Sequence, residues 1–168
     1  MMPLLHFQTL GEDPPLLLLH GLFGQGDNLK QLAQHFATNY HVILPDMMNH
    51  GQSFWQDAMD YPLMAQSVKQ LLAELDINAP VLLLGHSMGG KAAMQFANDY
   101  PALVKQLVVL DIAPASYPNW HSDIIAAMQK VASANVTSRK EADALLQKVA
   151  DLPLRQFLLK SLQKGDEG

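Results

Sequence analysis

The stretch that most constrains this chain runs from Val81 to Lys91, VLLLGHSMGGK. Four apolar residues lead into Gly85-His86-Ser87-Met88-Gly89, and a helical pattern begins at once, with Ala92, Ala93, Phe96 and Ala97 on one face. Buried strand, sharp turn and helix must therefore meet within a few residues of a serine. Gly85 and Gly89 carry no Cβ, so strand and helix can approach each other around a strained Ser87. A serine hydroxyl is a poor nucleophile until a base takes its proton, and such a turn lifts it clear of the sheet where a base can reach. The N–H of Met88 opens the helix, where it can help hold an oxyanion. From residue frequencies alone, G-x-S-x-G arises by accident in roughly one chain in 20 of this length. Its placement between an apolar run and a helix makes it far more specific, against the plain reading of a connecting Gly-rich turn.

The flanking sequence extends this pattern. Leu4–Leu10 reads as a short first strand, Leu16–Leu19 as a strand buried on both faces, and Val42–Leu44 as the next. Asp27 is placed to cap a helix running to Phe36, and Pro62 to start one carrying Leu63, Val68, Leu71, Leu72 and Leu75. Leu107–Leu110 reads as a further buried strand that delivers Asp111 at its end. Alternating strands and helices predict an α/β fold with a mostly parallel sheet and helices on both faces. After Asp111 the strands stop. Ile124, Ile125 and Met128 mark one helix, Ser138 with Glu141 a capping box opening a second, and Pro153 the break before a third. The expected division is residues 1–113 as the core and 114–168 as a helical cap.

Composition narrows the functional classes. At 49% hydrophobic and 16% charged, the 168 residues can bury a core, and one domain is the prior. A net charge of -5 with no basic run argues against nucleic acid or an anionic membrane as partner. With no cysteine there is neither disulfide nor thiolate chemistry. No histidine pairs with another ligand at metal spacing, so neither a metal nor a cofactor is expected. The N-terminus shows no secretory signal and no apolar run is long enough to span a bilayer, which makes cytoplasm the default.

Four motifs in order then carry a resemblance: His20-Gly21-Leu22-Phe23-Gly24, Asp46…Asn49-His50-Gly51-Gln52-Ser53, Gly85-His86-Ser87-Met88-Gly89-Gly90 and Asp111-Ile112-Ala113-Pro114. Together they resemble the α/β-hydrolase superfamily, and within it the YbfF-type bacterial serine esterases. The resemblance implies the α/β-hydrolase fold with a cap. It makes Ser87 the nucleophile, and the N–H groups of Met88 and Leu22 (less readily Phe23) the oxyanion hole. Asp111 becomes the acid that orients a histidine, and hydrolysis passes through an acyl-enzyme. A carboxylate at a strand end can instead merely cap a turn. Phe23, His86 and Trp120 are the expected substrate-binding side chains. The related loop usually carries Arg where Met48 stands, near the expected mouth of the site, so loop anchoring is expected to differ there.

The same resemblance implies two further strands and a base histidine after the cap, and the 168 residues stop short of both. Of His6, His20, His35, His41, His50, His86 and His121, only the last follows Asp111, in what reads as the entry to a cap helix. His20 and His50 are expected to brace their loops by hydrogen bonds. The expectation is a serine carboxylesterase for short acyl esters or thioesters that is weak or inactive in this form. Its Leu107–Leu110 strand is expected to have an uncovered edge able to drive self-association. The competing reading is a non-catalytic scaffold that keeps a pocket for a small ligand or protein partner. A nucleotide-binding reading of the first Gly-rich turn fails, because that turn is not G-x-G-x-x-G.

Overall fold

The computed structural model describes residues 2–117, 121–134 and 136–162. The chain forms two compact units, Met1–Pro114 and Ala115–Gly168. In the first, two strands follow each other and helices separate the remaining three: β1 (Phe7–Leu10), β2 (Pro15–Leu19), a 3-10 turn (Gly26–Leu29) running into α1 (Lys30–Phe36), β3 (His41–Pro45), α2 (Tyr61–Glu74), β4 (Val81–His86), α3 (Met88–Asp99) and β5 (Val104–Leu110). The sheet order is β1-β3-β2-β4-β5, with β1 antiparallel and every other pairing parallel.

Strand alternation sorts the core into two layers. Leu17, Leu19, Ile43, Val81 and Leu83 face α2 and α3, meeting Met64, Val68, Leu71, Ala92 and Phe96. Leu16, Leu18, Val42, Leu44 and Leu84 face α1 at Ala33. Helices thus cover both faces, which is why β2 and β3 are continuous apolar runs rather than alternating ones. Each fully buried leucine of β2 removes apolar surface worth roughly 1.5–3 kcal/mol.

The order places the site. From β2 the chain crosses to β3 on one side, then returns past β2 to β4 on the other. The loops after β2 and β4 therefore diverge from a switch point, the crevice where open α/β sheets bind ligands. Leu19 lies opposite Gly85 and His86 opposite Leu110, so the strand ends bearing Gly21, Ser87 and Asp111 stand side by side.

Several expectations are corrected. Asp27 is not an N-cap: it sits inside the 3-10 turn, whose cap is Gln25, and α1 begins only at Lys30. The strong cap before α2 is Asp60, whose carboxylate accepts from Leu63 N–H at 2.8 Å, with Pro62 in the first turn. Of the two expectations for the Leu107–Leu110 strand, burial is not met and the uncovered edge is: among the described residues β5 is the outer strand of the sheet, with Val108 37% and Leu110 40% exposed.

The second unit contains α4 (Ser122–Ser133), α5 (Arg139–Leu146) and α6 (Leu152–Lys160). α5 packs on both neighbours, burying Ala127, Val131, Ala142, Leu146, Leu158 and Leu159. Ser138 caps α5 as expected, but the Glu141 carboxylate returns to Thr137 N–H, one residue before the cap. Arg155 Nε donates to Asp143 at 2.8 Å, joining α6 to α5. Among the described residues, no helix is long and apolar enough to cross a membrane.

Candidate active site

Ser87 is the residue between β4 and α3, with φ 53° and ψ −116°. A non-glycine residue at such angles is strained by roughly 1–3 kcal/mol, and the surroundings must hold it there. Three close approaches do so. A Cβ on Gly85 would strike the Gly89 carbonyl, and one on Gly89 would strike the carbonyls of Leu19 and His20. One on Gly90 would come within 2.6 Å of Ile112 Cγ2. The first turn of α3 is thus pressed onto the ends of β2 and β4 at backbone contact. Ser87 N–H donates to the Leu110 carbonyl at 3.0 Å, and Ser87 C=O accepts from Lys91 N–H at 3.1 Å.

Serine at a helix N-cap ordinarily spends its hydroxyl on the first turn. Ser87 makes no such capping bond, and the residue is partly exposed rather than buried. Met88 is the first residue of α3, so its N–H has no acceptor within the helix.

The loop after β2 lies against this turn. A Cβ built on Gly21 would sit 3.4 Å from Ser87 Cβ and 3.1 Å from His86 Nδ1. Gly21-Leu22-Phe23-Gly24 is a β-turn closed by Gly24 N–H donating to Gly21 O at 3.0 Å, with Phe23 at φ 61°. Leu22 and Phe23 are half-buried.

Buried polar groups fasten that loop to its neighbour after β3. His20, 1% exposed, accepts Met47 N–H at Nε2 (2.9 Å), so its proton is on Nδ1, which donates to Gly21 O (2.8 Å). Burial holds its pKa down at about 4, and burial also lowers that of His50. The two rings meet edge to face at 5.3 Å, and His50 Nδ1 donates to Met48 O. Asp46 is a hub that motif reading alone did not identify. Its carboxylate accepts from Gly26 N–H (2.7 Å), Gln52 N–H (2.9 Å) and His6 Nδ1 (3.0 Å), tying together three segments distant in sequence. The spacing Asp46 to Ser53 was the available signal, since it sets a turn closed by His50 N–H to Met47 O and Ser53 N–H to His50 O. That turn drives Met48 inward, and it is fully buried in the core rather than placed at the mouth of a site.

Asp111 follows β5 with φ 56° and its side chain 86% exposed. His86, 43% exposed, is the histidine it meets, Nε2 to Oδ2 at 3.7 Å. Ser87, Met88, Gly21, Leu22, His86 and Asp111 therefore cluster at adjacent strand ends. Trp120 lies outside the described residues. Among the described residues no three His, Asp or Glu side chains are arranged to hold a metal.

Comparison with known proteins agrees with this fold. A family model described as the alpha/beta hydrolase fold matches residues 14–167. A putative esterase/lipase of Haemophilus influenzae is 39% identical over 150 residues, covering 88% of this chain and 52% of that protein. Esterase YbfF of Escherichia coli is 37% identical over 161 residues, covering 95% of this chain and 63% of that protein. The solved structure of a marine microorganism esterase superposes with TM-score 0.93 at 38% identity, covering 98% of this chain and 66% of that one. The chain thus spans about half to two thirds of the length of these relatives.

Proposed function

The chain belongs to the α/β-hydrolase family, and from that premise we propose that it is the nucleophile-bearing part of a serine carboxylesterase acting on small acyl esters or thioesters. The observation that carries the reading is Ser87, which is held at φ 53° and leaves its own helix uncapped. A strained backbone and an uncommitted hydroxyl cost stability, and attack on a carbonyl gives both a use.

In the proposed reaction Ser87 Oγ adds to the ester carbonyl while a base takes its proton. The oxygen of the tetrahedral adduct receives hydrogen bonds from Met88 N–H and Leu22 N–H. Collapse expels the alcohol or thiol, and water cleaves the acyl-enzyme by the same route. Asp111 orients the base histidine. Within the first unit His20 and His50 spend ring nitrogens on backbone groups, and His6 on Asp46. His35 lies on α1 and His41 at the start of β3, away from the strand ends that bear Ser87 and Asp111. His86, the residue before Ser87, is read as a substrate contact. We therefore propose that the base comes from the greater length that the relatives possess, and that the 168 residues alone hydrolyse esters weakly. Phe23 and His86 would contact the acyl or leaving group, with Trp120 as a proposed contact from the cap segment. The cytoplasm is the proposed location.

The test is labelling with a fluorophosphonate, which reacts only with an activated serine. The native protein should label at Ser87, and Ser87→Ala should abolish both labelling and p-nitrophenyl acetate hydrolysis. Folded native protein that takes no label would mean a non-catalytic scaffold.

A further inference from the structure

We infer that His20 is a positioning residue for the oxyanion hole, aiming the Leu22 N–H through the peptide bond that Leu22 shares with Gly21. The inference rests on the esterase reading above and adds a residue to its machinery.

Gly21 C=O and Leu22 N–H belong to one planar trans peptide, so they point to opposite sides. Whatever fixes the carbonyl fixes the amide. Gly21 O is held by two donors, His20 Nδ1–H at 2.8 Å and Gly24 N–H at 3.0 Å. The second closes the turn but belongs to the same loop and moves with it. The imidazole is anchored outside the loop: Nε2 accepts from Met47 N–H at 2.9 Å, on the segment after β3. That segment is itself fixed by the Asp46 carboxylate. His20 therefore transfers the position of a rigid neighbour to the plane of one peptide. Gly21 approaches Ser87 closely, so that plane stands beside the nucleophile. A preorganised donor needs such fixing, because its worth in a transition state comes from not having to turn toward the charge as it forms.

The chemistry also fixes the histidine's protonation. A backbone N–H can only donate, so Nε2 must be bare and the ring neutral with its proton on Nδ1. No acid–base step is assigned to His20.

Two substitutions separate the ends of the ring. Asparagine places an amide near Nδ1 and can still donate to Gly21 O. Glutamine places one near Nε2, where it can accept from Met47 N–H but leaves Gly21 O without its side-chain donor. In the native protein, His20→Gln is expected to lower kcat for p-nitrophenyl acetate about 100-fold, with KM changed by no more than about threefold. Inhibition by a trifluoromethyl ketone, which forms a tetrahedral adduct on serine, should weaken in parallel. His20→Asn should stay within about tenfold of wild type in kcat. Melting temperatures measured alongside remove the purely structural explanation, under which kcat follows stability in both variants. Equal losses in the two variants, or losses that track melting temperature, overturn the inference while leaving the esterase standing. Wild-type protein without Ser87-dependent hydrolysis overturns the esterase reading and this one with it. Nitrogen NMR of the wild-type imidazoles gives a check that needs no variant: His20 should show a protonated Nδ1 and a bare Nε2 at neutral pH. The opposite tautomer refutes the inference.

Discussion

Ser87 N–H donates to the carbonyl of Leu110 at 3.0 Å, so the strained turn after β4 is pinned to the last residue of β5. The next residue, Asp111, is also at positive φ. One hydrogen bond thus couples the two bends that bear the proposed nucleophile and its proposed acid.

Ser87→Gly should give a protein that is more stable and inert. Glycine occupies φ 53° without the steric cost, which releases roughly 1 kcal/mol of the strain stored at this position. Urea unfolding of Ser87→Gly and Ser87→Ala should show the gain only for glycine, while both lose fluorophosphonate labelling. Equal stability for the two would mean that the turn is relaxed.

Gly21→Ala tests the approach of the first loop to the serine. Its new methyl would stand 3.1 Å from His86 Nδ1 and 3.4 Å from Ser87 Cβ, crowding the path to the hydroxyl without striking backbone. Labelling of Ser87 should slow about tenfold or more, with a destabilisation no larger than about 1–3 kcal/mol. Unchanged labelling kinetics would place the substrate's approach elsewhere.

Asp111→Asn should separate chemistry from folding. The side chain is 86% exposed and its His86 contact is 3.7 Å long, so unfolding free energy should change by no more than about 0.5 kcal/mol. If Asp111 orients the base, kcat of the native protein should fall at least about 100-fold, toward the roughly 10⁴-fold loss seen when a triad carboxylate is neutralised. A parallel drop in both quantities would instead mark it as structural.

Acid should weaken the fold through His20. Its folded pKa of about 4 lies below the unfolded value of 6.5, chiefly because of burial. Between these values the unfolded chain binds the extra proton, so this contribution is complete above about pH 6.5 and disappears as pH falls toward 4. The shift corresponds to roughly 3 kcal/mol, and His50 is displaced in the same direction. Denaturant titrations at pH 7, 5.5 and 4.5 should show a shallower acid loss in His20→Asn than in wild type. Parallel curves would contradict it.

What the sequence disclosed follows the range of the forces involved. The elbow at Ser87 was legible because strand, glycines and helix lie within eleven consecutive residues and each restricts the next. His20 and His50 were readable as loop braces, since histidines beside glycines in turns need partners. The Asp46 hub was not, because Gly26, Gln52 and His6 meet only after β1 and β3 pair. Helix α1 was read as starting early, because Asp27 is a good cap residue whose position is taken over by a 3-10 turn. The apolar residues of β5 read as a buried strand, but the uncovered edge that the resemblance also implied prevails, because among the described residues β4 alone pairs with it. Position 48 looked like a rim residue by analogy, until the turn after β3 carried it into the core.

The contacts of Gly85 and Gly89 with bare carbonyls have an evolutionary corollary. Neither site has a neighbouring side chain whose shrinkage could make room, so no second substitution can rescue a change there. In a saturation library screened for folding, these two positions should admit no other residue, even where partly exposed His86, between them, varies freely. Any lineage that abandoned the chemistry would still have to keep the glycines, and would look like an esterase long after ceasing to be one.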